Sequence, residues 1–204
     1  MPRHLRDARR TEILRIAIGE LRDHGYEKTS MTRIAALAGA SKETLYSWFG
    51  NKEELFAAAI EVNADDAAKL PDLAVSGPPP SPAEVPETLL RSARGLIDLP
   101  TGPDSIALNR AANSSPQLAE VLTRAGRERA GSAMVRYLER LSDQGMLHID
   151  DAHDASTIYF GLVNRDSQIR ALLGGSAPDP RARAEQGVDA FLNLFGKDDT
   201  GRGR

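Results

Sequence analysis

TSMTRIAALAGASKETLYSWFGNKEELFAAAI, residues 29–60, holds two short helical signals separated by a tight turn. Thr29 or Ser30 can cap a helix over Met31 to Ala38, closed by Gly39, and Ser41 can cap a second over Lys42 to Phe49. Ala35 sits where crossing helices need a small side chain, Gly39 supplies a positive φ, and Leu45 packs back from the second helix. Ile34, Ala38 and Phe49 complete a small core. Gly50 and Asn51 break the second helix, and Asn51 with Glu54 has the capping-box spacing for another, running through Leu55, Phe56, Ala59 and Ile60 to about Lys69.

This spacing is that of a helix-turn-helix. The solvent side of its second helix shows Lys42, Glu43, Thr44, Tyr46, Ser47 and Trp48, groups suited to phosphates and base edges. The free amides at a helix N-terminus suit a phosphate as well. Lys52 lies where a further contact to backbone oxygen is expected. A plain αα-hairpin with a solvated polar face has the same spacing, so both readings stand at this point.

Outward from this segment the chain reads as all-α. Leu14, Ala17, Ile18 and Leu21 recur at helical spacing and predict a helix from about Asp7 to Asp23, stopped by His24-Gly25. Six of the twelve prolines fall between Pro71 and Pro86 and predict an extended loop, either a domain boundary or a long crossing between helices. Further helices are expected over Glu87 to Asp98, Ser105 to Asn113, Pro116 to Gln144 with weak points at Gly126 and Gly131, His153 to Leu173, and Pro180 to Phe195. The domain expectation is residues 1–51, then 52–196, then a disordered tail over 197–204.

With 204 residues, 41% hydrophobic and 27% charged, the composition is that of a folded soluble chain. The absence of cysteine excludes disulfide scaffolds, thiol nucleophiles and thiolate metal sites. No apolar run approaches the roughly 20 residues that span a bilayer. MPRHLRDARR is basic but lacks the apolar segment of a signal peptide, so a cytoplasmic location without membrane contact is expected. Residues 1–56 carry ten Lys/Arg against eight Asp/Glu, and the remainder sixteen against twenty-one. That places +2 in front of −5, a weak pointer to a polyanion at the front. No GxSxG, HExxH or P-loop pattern occurs, so neither an enzyme nor a cofactor is expected. His148 and His153 with Asp150, Asp151 and Asp154 are explained by a loop and a helix cap, and no metal is expected.

Residues 29–60 resemble the DNA-binding region of the tetracycline-repressor (TetR) family. The likeness covers about Thr11 to Ile60, with Gly25, Thr29, Ile34, Ala35, Gly39, Ser41, Thr44, Leu45, Tyr46, Phe49, Lys52 and Leu55 on the family's pattern. PQLAEVLTRAGRERAGSAMVRYLERLSDQGMLHIDDAHDAS, residues 116–156, resembles the ligand domain of regulators near the AefR and AcrR branches. The resemblance implies an all-α homodimer whose first three helices bind a palindromic DNA operator and whose later helices form an effector pocket and the dimer interface. It implies that Ser41 caps the recognition helix, Lys42 and Thr44 face bases or phosphate, Tyr46 reaches phosphate, Lys52 clamps another, and Thr29 or Ser30 adds a third contact. Ala40, Glu43 and Trp48 depart from the usual residues. Glu43 suits either a cytosine amino group or solvent, and Trp48 either the groove or a lid on the core.

For the last two helices the resemblance implies a four-helix bundle between subunits, built on Ile158, Leu162, Ile169, Leu172, Val188, Phe191, Leu192 and Phe195. Without a partner the same stripes would be monomer core. Asn109, Arg110, Asn113, Arg127, Tyr137, Tyr159 and Asn164 are candidates to orient a small-molecule effector, although residues of these types are more often surface or capping residues. The expectation is a ligand-responsive repressor. An activator, a helical protein-interaction module and an all-α enzyme are its rivals.

Overall fold

The computed structural model describes residues 3–77, 80–130, 132–175 and 179–196, and among them every regular element is helical. In chain order these are α1 (Arg3–His24), α2 (Met31–Leu37), α3 (Lys42–Phe49), α4 (Lys52–Val75), α5 (Val85–Thr101), α6 (Pro103–Ala112), α7 (Pro116–Ala130), α8 (Ser132–Asp143), α9 (Ala152–Asn164), α10 (Ser167–Leu172) and α11 (Pro180–Phe195). A 3-10 turn, Pro82–Glu84, precedes α5. No helix among the described residues is long and apolar enough to cross a membrane.

Side-chain caps set several helix starts. Ser30 accepts from the Arg33 amide at 3.3 Å, Ser41 from Thr44 at 3.1 Å, Asn51 from Glu54 at 2.9 Å, and Asp151 from His153 and Asp154 at 2.8 and 3.0 Å. Each satisfies amides that the first turn leaves unpaired. The turn after α2 is a Schellman motif: Gly39 N donates to Ala36 O and Ala40 N to Ala35 O, at 3.1 and 2.9 Å. Gly39 holds φ at +57°, a conformation a side chain resists.

Proline reads differently in three dimensions than in the sequence. The 71–86 stretch is mostly helical, because α4 continues through Pro71 to Val75 while Pro82 and Pro86 stand in first turns, where no amide donor is needed. Arg140 donates to Val75 O at 2.8 Å and so satisfies the end of α4. The expected 153–173 helix is two. Arg165, at φ +45°, ends α9, and Asp166 receives Arg170 at 2.5 Å and Arg183 at 3.5 Å beyond the break. The 116–144 run is carried by α7 and α8, with residue 131 outside the described residues, as is the 197–204 tail.

The chain divides into two compact units, Met1–Asp66 with Gly102–Arg127, and Ala67–Thr101 with Glu128–Arg204. The core of the first runs past residue 51, joining Ile13, Leu14 and Ala17 of α1 to Leu45 of α3, Phe56 of α4, Leu108 of α6 and Leu118 of α7. In the second, α11 packs on α5 and α9. The Phe191 ring meets Tyr159 edge-on at 5.2 Å and Phe195 at 4.8 Å. Val188 and Phe191, expected at a subunit interface, are instead buried inside this core, because α11 turns that stripe toward its own chain.

The α9–α11 approach depends on Gly187. A Cβ there would stand 3.0 Å from both Leu162 O and Val163 Cα. Gly187→Val is therefore expected to cost about 1–3 kcal/mol, the usual penalty of overpacking, measured as a lowered denaturant midpoint.

Candidate nucleic-acid interface

Three helices set the geometry of the candidate reading head. Leu45 and Phe49 are buried against α1 and α2, which fixes the rotation of α3 about its axis. The opposite side then holds Ser41, Lys42, Glu43, Tyr46 and Ser47 exposed, with Thr44 and Trp48 half-buried. Tyr46 is 51% exposed, too open for a core role. Ser41 and Thr44 hydroxyls lie 3.0 Å apart, so the cap also fixes the Thr44 rotamer. The Glu43 carboxyl is held below its usual range by its own backbone amide and the Ser41 hydroxyl, with Lys42 adding to the effect. Its charge is thereby tied to the start of α3.

Two expected phosphate contacts are turned elsewhere. Thr29 is buried and donates to Gly25 O at 2.8 Å, which closes the α1–α2 turn and leaves Ser30 as the exposed hydroxyl of that pair. Lys52 donates to Tyr26 O, and its ammonium lies 4.0 Å from the centre of the Tyr26 ring. Burial lowers its pKa, against the opposing field of Glu27. Lys52 therefore locks α4 to the α1–α2 turn. Spacing placed it at the right helix start but carried no signal of an inward rotamer.

Further buried charge ties α2 to α1. Glu20, 5% exposed, pairs with Arg33, and His24 approaches the same carboxylate at 3.3 Å. Arg33 also reaches His24 Nε2 at 3.2 Å. The sequence reading missed this cluster, although Glu20 on the apolar stripe of α1 was its visible sign.

The effector candidates fall in both units. Asn109, Arg110 and Asn113 belong to the first. Asn109 donates to Ser105 O at 2.8 Å, Asn113 caps α6, and Arg110 borders a cleft of about 300 Å³ with Arg22, Tyr26 and Glu27. Tyr137, Tyr159 and Asn164 are buried in the second unit. The Arg127 side chain lies outside those described. Tyr159 donates to Leu89 O at 2.6 Å, and burial raises its pKa well above the usual phenol range. Burial raises that of Tyr137 too. Ser92 lies near Tyr159 and Thr88 near Tyr137, yet neither Ser92 Oγ nor Tyr137 Oη has a partner of hydrogen-bond geometry.

Of the expected interface residues, Ile158, Leu162, Leu172, Leu192 and Phe195 are half-buried and Ile169 is 53% exposed. Phe160, Leu173 and Leu194, which periodicity did not single out, are exposed on or beside the same helices.

Two short helices crossing at a Schellman turn, with the polar side of the second open to solvent, define a helix-turn-helix protein. The chain belongs to the tetR family of bacterial regulatory proteins: residues 13–59 match that family's model, and residues 87–197 match the C-terminal domain of AefR-like transcriptional repressors. It is 39% identical over 72 residues to the HTH-type transcriptional repressor SCO4008 of Streptomyces coelicolor, an alignment covering 35% of this chain and 34% of that protein. The chain thus spans about a third of the length of the curated relatives it matches. A TetR transcriptional regulator from Agrobacterium tumefaciens superposes with a TM-score of 0.81 at 31% identity, covering 93% of this chain and 95% of that one. The flavonoid-responsive regulator FrrA does so with 0.70 at 28%, covering 93% and 98%.

Because Lys52 is bound within the fold, Lys52→Met is expected to lower the stability of the DNA-free protein by about 1.5–3 kcal/mol, the range of a hydrogen bond involving a charged group. Urea titration without DNA measures it.

Proposed function

We propose that the chain is a ligand-responsive transcriptional repressor that binds an inverted-repeat operator as a homodimer, in the cytoplasm and without catalytic activity. The observation that carries this reading is the orientation of α3, with Leu45 and Phe49 inward and Lys42, Tyr46 and Ser47 outward. Lys42, Thr44, Tyr46 and Ser47 supply the base and phosphate contacts, with Ser30 at the start of α2 and Ser41 as the cap. A recognition helix entering the major groove twice, once per subunit, needs half-sites about 34–36 Å apart.

Dimerisation is assigned to α9–α11. Phe160, Ile169, Leu173 and Leu194 leave apolar surface on these helices and loops, continuous in sequence with the half-buried Ile158, Leu162, Leu172, Leu192 and Phe195. The effector is assigned to the second unit, near Tyr137, Tyr159 and Asn164. Buried hydroxyls without partners are rare in native folds, and Tyr137 Oη and Ser92 Oγ are groups that a polar ligand would satisfy. Repression is relieved by linkage: an effector that favours a dimer unable to dock lowers operator affinity by the factor by which operator lowers effector affinity.

Selection from random duplexes is expected to enrich an inverted repeat, and Tyr46→Phe is expected to weaken binding to it several-fold without changing the consensus. No enrichment at low or moderate salt would overturn the reading. Leu173→Glu with Phe160→Glu is expected to shift the sedimenting species from dimer to monomer, and an unchanged dimer would remove α9–α11 as the interface.

A further inference from the structure

The recognition helix makes no use of the basic run that opens the chain. α1 begins at Arg3, well ahead of residue 13 where the family model starts to match. Its first three turns carry Arg3, Arg6, Arg9 and Arg10 against Asp7 and Glu12. Arg9 is committed within the fold, pairing with Glu12 at 2.6 Å and donating to Ala38 O beside the helix-turn-helix turn. That contact pins the start of α1 to the reading head.

Arg6 and Arg10 are placed differently. One turn apart on the same face, they lie against the C-terminal half of α3: the Arg6 guanidinium stands 5.6 Å from the centre of the Trp48 ring, and that of Arg10 5.0 Å from Phe49. Both are exposed. Arg15, Arg22 and Arg33 pair with Asp66, Asp104 and Glu20, whereas no carboxylate among the described residues pairs with Arg6 or Arg10. A guanidinium held over a ring by cation–π attraction keeps its N–H groups free to donate.

We infer that Arg6 and Arg10 form a phosphate clamp beside α3, extending the DNA contact surface from the recognition helix onto the start of α1. The inference rests on the proposed DNA-binding function. Charge complementarity and, at Arg6, contact with Trp48 on the open side of α3 select the duplex backbone as the occupant. The two arginines add affinity without reading sequence, as phosphate contacts do.

The test compares wild type, R6Q/R10Q and R6K/R10K on a selected duplex and on a scrambled duplex of equal length, across a salt series, with melting temperatures recorded for each protein. Each lost phosphate contact reduces the slope of log K against log salt by about 0.9. R6Q/R10Q is therefore expected to weaken both duplexes by a similar factor and to flatten the slope by up to about 2, with most of it restored in R6K/R10K. Should the double glutamine variant fail to fold, R6Q alone, over the half-buried Trp48, is expected to flatten the slope by about 1. An unchanged slope in a folded variant overturns the clamp, as does weaker binding at unchanged slope, which would make the arginines a lid on Trp48 and Phe49. A wild-type protein that binds neither duplex at low salt overturns the DNA-binding reading itself and the clamp with it.

Discussion

The first unit is organised by one face of α1. Ile13, Leu14, Ala17 and Leu21 are almost fully removed from solvent, and α2 and α6 both pack on this helix. Leucine and isoleucine side chains contribute about 1.5–3 kcal/mol each when fully buried, so Ile13, Leu14 and Leu21 make this face a strong apolar anchor for the short helices. An eight-residue helix such as α3 is not stable alone, and its position is inherited from what it packs on. The ion pair between buried Glu20 and exposed Arg33 adds a directional restraint to the apolar contact. Losing the Arg33 guanidinium would leave the buried carboxylate with His24 alone beside it, and an underpaired buried charge is costly.

Legibility in the sequence followed the range of the interaction. Ser30, Ser41, Asn51, Asp151 and Gly39 act within four residues of themselves, and their caps and turns could be read directly. The apolar stripe of α1 was equally plain, as was the outward side of α3. The internal partners of Thr29 and Lys52, the carbonyls of Gly25 and Tyr26, could not be read in the sequence, because they become available only when the α1–α2 turn is formed. The place of Val188 and Phe191 in the core of their own unit was one of two readings of their stripe, because periodicity identifies an apolar face and says nothing of whether that face meets its own chain or another. Pro71 shows the limit of a local rule, since the helix it interrupts continues with its end held by Arg140.

Polar accounting differs between the two units. Around the helix-turn-helix, the buried Thr29 hydroxyl donates to Gly25 O, and the buried Glu20 carboxylate is ion-paired with Arg33 although its Oε1 has no partner of hydrogen-bond geometry. In the second unit Tyr137 Oη, Ser92 Oγ, Asn164 Oδ1 and Ser167 Oγ are buried without one. Desolvating a hydroxyl in this way costs about 1–3 kcal/mol. A region with several such groups gains from any guest that supplies hydrogen bonds, whereas the helix-turn-helix has one such atom among the described residues and carries most of its polar groups on the exposed side of α3.

The first unit is assembled from two separate stretches of chain, Met1–Asp66 and Gly102–Arg127. During synthesis the helix-turn-helix leaves the ribosome long before α6 and α7, which complete the core around Leu108 and Leu118. At about 5–20 residues per second, the apolar face of α1 waits several seconds for its last partners. A fragment ending near residue 66 would retain every group that faces the duplex and yet lack part of the wall against which those groups are held. Excising the reading head as a free-standing module therefore means carrying α6 and α7 with it, by a joined or permuted chain.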